Sequence, residues 1–342
     1  MSKATFSIIA AAGAATGAGV TALIYSSKSQ RQYPPPQPAY PAQAPTQLPP
    51  RPAVDSSPPP QPSTPSIAAR LPAATGATPP VDPSGLFQYG FPGPVSDAIN
   101  GVPLTGAYDR RTRNPAWVAE HITPESLATH NGDRKRSTFF EDPNIPPAFR
   151  AKLNDYFRSG YDRGHQVPAA DAKWSQEAMD GTFALTNMCP QVGEGFNRDY
   201  WAHFEDFCRR LTKKYPSVRI VTGPLYLPKR DSVDGKWRVS YEVIGNPPNV
   251  AVPTHFYKVI YAEDGKGGGN GKVSLGAFVL PNARIPNEKS LAEFEVPLEA
   301  IERASGLEFA SKLPADRRKK LCQEIKCDIN VREFKKASNS KA

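Results

Sequence analysis

The chain has 342 residues, a formal charge of +9, 38 prolines and four cysteines. Its length would allow two domains, but composition excludes this: about the first ninety residues hold too few large apolar side chains to build a core. The charge excludes little, since residues 1–95 carry +3 and the remainder +6, only a mild bias toward polyanions.

Ala4 to Tyr25 is an uncharged stretch of 22 residues, preceded by Lys3 and followed by Lys28 and Arg31, with no acid before Asp55. It is long enough to cross a bilayer but rich in Gly and Ala, so a membrane anchor, a mitochondrial targeting segment and a secretory signal all fit. The basic flanks and the missing acids favour mitochondrial targeting over residues 1–30, doubling as an inner-membrane anchor. Secretion is the alternative. Residues 31–84 read as an extended, solvated linker of Pro, Ala, Ser, Thr and Gln. Residues 85–335 have the composition of one folded domain, and 336–342 form a basic tail.

Within the folded part, Val118–Leu127 ends an early strand-like piece at Pro124. Asn131–Asp142 is a charged loop carrying Arg134, Lys135 and Arg136. Pro143, Pro146 and Pro147 enforce turns before Ala148–Phe157 resumes a helical pattern. Phe204, Phe207, Cys208 and Leu211 recur at i, i+3, i+4 and i+7, which predicts a helix over Phe196–Lys213 with one apolar face. Four β-type runs follow: Val218–Tyr226, Trp237–Gly245, Val250–Tyr261 and Val273–Leu280, divided by Pro- and Gly-rich turns. Val296–Phe309 carries a helical stripe with Gly306 near its end. The mixture predicts an α+β fold, a central mostly antiparallel sheet flanked by helices. Cys189, Cys208, Cys322 and Cys327 form no C-x-x-C pair and lack neighbouring histidines for zinc, so free, mostly buried thiols are expected, with pairing left open.

Chemistry concentrates in Asp162-Arg163-Gly164-His165-Gln166 and, downstream, Asn187, Gln191, Asn197 and Glu205. One imidazole near neutral pKa, one guanidinium and a set of hard oxygens suit phosphodiester hydrolysis: a base for water, a cation for phosphate, ligands for Mg²⁺. On the predicted helix, Asn197 and Glu205 fall on one side about two turns apart. Arg163 either grips phosphate or pairs with Asp162. Asn187 and Gln191 are equally site or scaffold, while His121 and His255 read as structural. A nucleic-acid-binding scaffold without chemistry is the competing class.

These residues, in co-linear blocks, carry a resemblance. Tyr161–Gln166 and the Asn187, Gln191, Asn197, Trp201, Glu205 series resemble the DNA/RNA non-specific endonucleases with a DRGH motif and a ββα-metal finger. The stretches "WVAEHITPESL", "NMCPQVGEGFNRDYWAHFEDFCR" and "VRIVTGPLYLP" are similar to mitochondrial endonuclease G, especially its fungal forms. The resemblance runs from about Leu86 to Phe334. It implies cleavage of DNA and RNA to 5′-phosphates, Mg²⁺ with Mn²⁺ able to substitute, and a homodimer at the mitochondrial intermembrane face. It also implies roles: His165 as general base, Asn197 as direct metal ligand, Glu205 holding metal-bound waters, and Asp162 in support. Arg163, Asn187 and Gln191 would shape the phosphate pocket, and Arg136, or alternatively Arg134, would stabilise the transition state. The loop Val192–Phe196 is one residue longer than in animal and bacterial forms.

Overall fold

A computed structural model describes residues 94–265 and 271–331. The segments expected at 1–30, 31–84 and 336–342 lie outside the described residues. A seven-stranded sheet organises the described part, in the order β1 (Ser96–Asn100), β2 (Thr105–Asp109), β3 (Asn114–Ile122), β6 (Ser217–Leu225), β7 (His255–Glu263), β8 (Val273–Pro281) and β9 (Arg318–Lys320). All neighbours run antiparallel except β8 and β9. Between β3 and β6 the chain leaves the sheet to build a two-stranded ribbon, β4 (Asp162–His165) with β5 (Met188–Gln191). The helices, in chain order, are α1 (Pro124–Ala128), α2 (Leu153–Tyr156), α3 (Gln176–Gly181), α4 (Tyr200–Leu211), α5 (Leu298–Ser305) and α6 (Leu321–Glu324).

Strand β7 explains how the layers form. Its side chains alternate faces, and both faces are covered, so Phe256–Ile260 is buried throughout and apolar apart from Lys258. Phe256 and Ile260 join Phe278, Leu280, Val218 and Ile220 against Phe204, Phe207, Cys208 and Leu211 of α4. Tyr257 and Val259 join Ala277 on the opposite face under Ile301 of α5. Each such large side chain stabilises the fold by about 1.5–3 kcal/mol on burial. The predicted apolar face of α4 is therefore the layer contact. Helix α5 ends where Gly306 takes φ +73° and its N–H donates to the Glu302 carbonyl, a left-handed cap that glycine adopts without Cβ strain.

Four expectations need correction. The helix over Phe196–Lys213 begins only at Tyr200, because Gly195 takes φ +79° and Asp199 is non-helical; Gly193–Asn197 is a separate wide turn. Asn197 thus precedes the helix that carries Glu205. Ala148–Phe157 yields the end of a 3-10 turn (Pro147–Phe149) and the single turn α2, because Arg150 and Lys152 between them are extended. Trp237–Gly245 alternates like a strand, yet only Trp237–Arg238 and Val243–Ile244 pair, in two-residue ladders, since no layer lies over the rest. Finally, Cys322 and Cys327 form a disulfide, brought to a Cα–Cα distance of 5.3 Å as the chain turns through α6, while Cys189 and Cys208 are free and buried. Among the described residues no helix is long and apolar enough to cross a membrane.

Candidate active site

The ribbon sets the site. In β4 and β5 the register is Asp162 to Gln191, Gly164 to Cys189 and His165 to Met188. Gln191 is fully buried and lies across Gly164, where a Cβ would come within 2.1 Å of its Oε1. That approach, rather than a turn, requires glycine in the DRGH run. Asn187 is wholly committed to the backbone: its Nδ2 donates to the carbonyls of Val167 (2.9 Å) and Thr182 (2.8 Å), and its Oδ1 accepts from Val167 N–H at 3.0 Å. It fastens the chain just after His165, with each polar atom of its side chain already bonded to the backbone.

His165 is 8% exposed, its ring edge-on to Phe183 at 4.9 Å and tilted to Phe139 at 5.6 Å. Burial, aided by the positive charge of Arg134, pushes its pKa down to about 3, so the ring is neutral at physiological pH. Its Nε2 is buried and has no hydrogen-bond partner among the described residues. The carbonyl of His165 accepts from Trp201 Nε1 at 3.4 Å, tying β4 to α4.

The arginines divide differently from the sequence expectation. Arg163 is exposed and stacks over Phe139 at 4.3 Å, a ring that also packs against His165, while Asp162 is paired elsewhere. Arg134 lies over Phe183 at 5.3 Å, and its charge acts on both His165 and Glu205. Arg136 is exposed and is not among the groups acting on either. Of the two, Arg134 has its guanidinium over a ring that packs against His165.

Asp162 joins Asn197 and Arg198. Its Oδ2 accepts from Asn197 Nδ2 at 2.9 Å and from Arg198 Nε at 2.7 Å, and its Oδ1 accepts from Arg198 Nη2 at 3.0 Å. With its nitrogen held, Asn197 presents Oδ1 as its remaining polar atom. Glu205, on α4, has its pKa raised to about 7 by burial, against the pull of Lys258 and Arg209 and with a push from Asp171. A cation beside it would favour the carboxylate. Among the described residues no three His, Cys, Asp or Glu side chains converge on a point. The donor set therefore fits an ion that keeps most of its waters, as Mg²⁺ does, and does not fit a closed all-protein cage. Beneath the site lies fully buried Lys258, donating to Thr222 Oγ1 at 2.8 Å and to the Gln166 carbonyl at 3.4 Å. Neither Lys258 nor Arg198 was singled out from sequence; the Arg directly after Asn197 was the available signal for the second.

Strand pair, turn and helix with these side chains define a ββα-type nuclease site, and the chain belongs to the DNA/RNA non-specific endonuclease family, whose sequence model matches residues 82–316. It is an endonuclease. It is 63% identical over 259 residues to the mitochondrial nuclease of Saccharomyces cerevisiae, covering 75% of this chain and 79% of that one. It is 43% identical over 230 residues to human endonuclease G, mitochondrial, covering 67% and 74%. A solved chain from the crystal structure of the EndoG/EndoGI complex, on the mechanism of EndoG inhibition, superposes with a TM-score of 0.63 at 44% identity, covering 71% of this chain and 100% of that chain.

Proposed function

We propose that this endonuclease hydrolyses phosphodiester bonds in DNA and RNA alike, with Mg²⁺, or Mn²⁺ in its place, leaving 5′-phosphates. The observation that carries this reading is a buried, neutral imidazole with an unpaired Nε2 on the strand whose Asp162 orients the Asn197 amide. His165 would take the proton of the attacking water, and Arg163 and Arg134 would meet the phosphate charge. Asn197 would hold the ion directly and Glu205 its water shell; the bound ion would neutralise charge on the phosphate. Contacts to backbone phosphates would dominate, so binding should weaken steeply with salt.

A plasmid-nicking assay tests the chemistry. Cleavage is expected to stop in chelator, to return with Mg²⁺ or Mn²⁺, and to need more metal in Asn197→Ala. Full activity in chelator would remove the metal from the reading.

Residues 1–30 would deliver the enzyme to mitochondria and anchor it at the inner membrane, a reading supported by the mitochondrial names of the relatives. A fluorescent fusion to residues 1–60 found in the medium would favour secretion instead. A homodimer is supported by Trp237, Val239, Tyr241 and Val243, four large apolar side chains left exposed within seven residues. Sedimentation as a monomer at micromolar concentration would count against it.

A further inference from the structure

We propose that Arg198 is a positioning residue for the metal site: it clamps Asp162 so that Asp162 holds the Asn197 amide instead of binding the ion itself. This rests on the reading of Asn197 as metal ligand given above. The clamp is a side-on fork, Nε to Oδ2 at 2.7 Å and Nη2 to Oδ1 at 3.0 Å. Such a fork fixes both position and plane of a carboxylate, which a single hydrogen bond does not. The same Oδ2 takes the Asn197 Nδ2 proton at 2.9 Å. An amide whose nitrogen is pinned has its oxygen pinned as well, so three side chains from β4 and the turn before α4 form one rigid unit.

Gly193 supplies an independent sign that the turn is built around this pair. A Cβ there would lie 2.3 Å from Arg198 Nη2 and 2.9 Å from Asp162 Oδ2. The turn is also closed by Arg198 N–H donating to the Gly193 carbonyl at 3.0 Å. Gly193 has no positive φ, so a Cβ there would act by displacing the ends of the Arg198 and Asp162 side chains rather than by straining the backbone. The electrostatic consequence is specific. An unpaired carboxylate beside a divalent cation would coordinate it directly, whereas one neutralised by a guanidinium is held as a hydrogen-bond acceptor. Arg198 thereby accounts for a site whose direct protein ligand is a neutral amide although a carboxylate sits against it. The ion pair is only partly buried, with Arg198 66% and Asp162 26% exposed as side chains, so its expected effect lies in orientation more than in folding stability.

Mn²⁺ binding to the full chain, followed by electron paramagnetic resonance, tests this apart from turnover. Losing a partner that orients a metal ligand typically weakens metal affinity about 10- to 100-fold. Arg198→Gln should do so with an unchanged thermal midpoint, and Arg198→Lys, which keeps the charge and loses the fork, should recover only part. In the Asp162→Asn background the Arg198→Gln change should add little, because the clamped group is already gone. Wild-type Mn²⁺ affinity in Arg198→Gln, or full additivity with Asp162→Asn, would overturn the clamp. Asn197→Ala separates the two readings: if it binds Mn²⁺ as the wild type does, the ligand assignment fails; if it loses Mn²⁺ while Arg198→Gln does not, only the clamp fails.

Discussion

Replacing His165 with Ala is expected to lower cleavage by about 10²- to 10⁴-fold while leaving nucleic-acid binding nearly intact, the range a positioned general base contributes. Among the described residues the ring makes no hydrogen bond through Nε2, and it packs against Phe139 and Phe183, so no described protein group competes for that nitrogen. The burial that keeps it neutral also makes it a weak base, at about 3. A phosphodiester anion seated beside the ring favours the imidazolium and raises that value toward the working range. The same shift has a stability consequence with a definite sign. The folded-state pKa is below the unfolded value of about 6.5, so the unfolded chain binds the extra proton first. The contribution of the neutral ring is complete above about pH 6.5 and is lost as pH falls toward 3. His165→Ala should therefore lose less stability than the wild type between those two values, measured as urea midpoints at pH 7 and pH 4.5. Wild-type cleavage rates in the variant would end the assignment of the base.

The second large effect is expected from Lys258→Met: a stability loss of about 3–5 kcal/mol, the usual result of removing one partner from buried charges. Lys258 is 1% exposed, and its charge offsets the burial of Glu120 and Glu205. Glu120 needs that offset. Burial first, then the nearby Asp171, hold its carboxyl well above the usual range, and neither of its oxygens has a hydrogen-bond partner among the described residues. A carboxyl whose folded pKa is raised favours the fold below its unfolded pKa of about 4.3 and opposes it increasingly as pH rises to the folded value. Without Lys258 that upper bound moves higher, so the deficit of the variant should be larger at pH 8 than at pH 5. Adding Glu120→Gln should return part of the loss. Denaturant titrations at the two pH values decide it, and equal deficits at both would show that the charge cluster is not the cause.

The sequence made some of this legible and hid the rest for identifiable reasons. Helix α4 and strands β6, β7 and β8 stood out because burial imposes a period on their apolar residues. His165 and its neighbours stood out because their residue types are those of phosphoryl chemistry. Lys258 was invisible: it sits in an apolar run, and only the sheet reveals that it points inward with Phe256 and Ile260. Asn197 reads as helical in the sequence because side-chain spacing does not report the positive φ of Gly195 that delays the helix to Tyr200. Trp237–Gly245 has strand alternation without a partner layer, and alternation alone does not supply one. The Cys322–Cys327 bond was undecidable from spacing, since it depends on how the chain turns after α6.

Trp201 carries a practical consequence. It is fully buried, its indole N–H reaches the His165 carbonyl, and the Lys258 ammonium lies 4.8 Å from its ring centroid. A fixed charge over an indole shifts the energy of its excited state, and a polar contact at the nitrogen does the same. The protein thus holds an optical reporter at the junction of β4, α4 and the central sheet. With the other three tryptophans, Trp117, Trp174 and Trp237, replaced by Phe, its emission would follow the integrity of that junction in solution without any label.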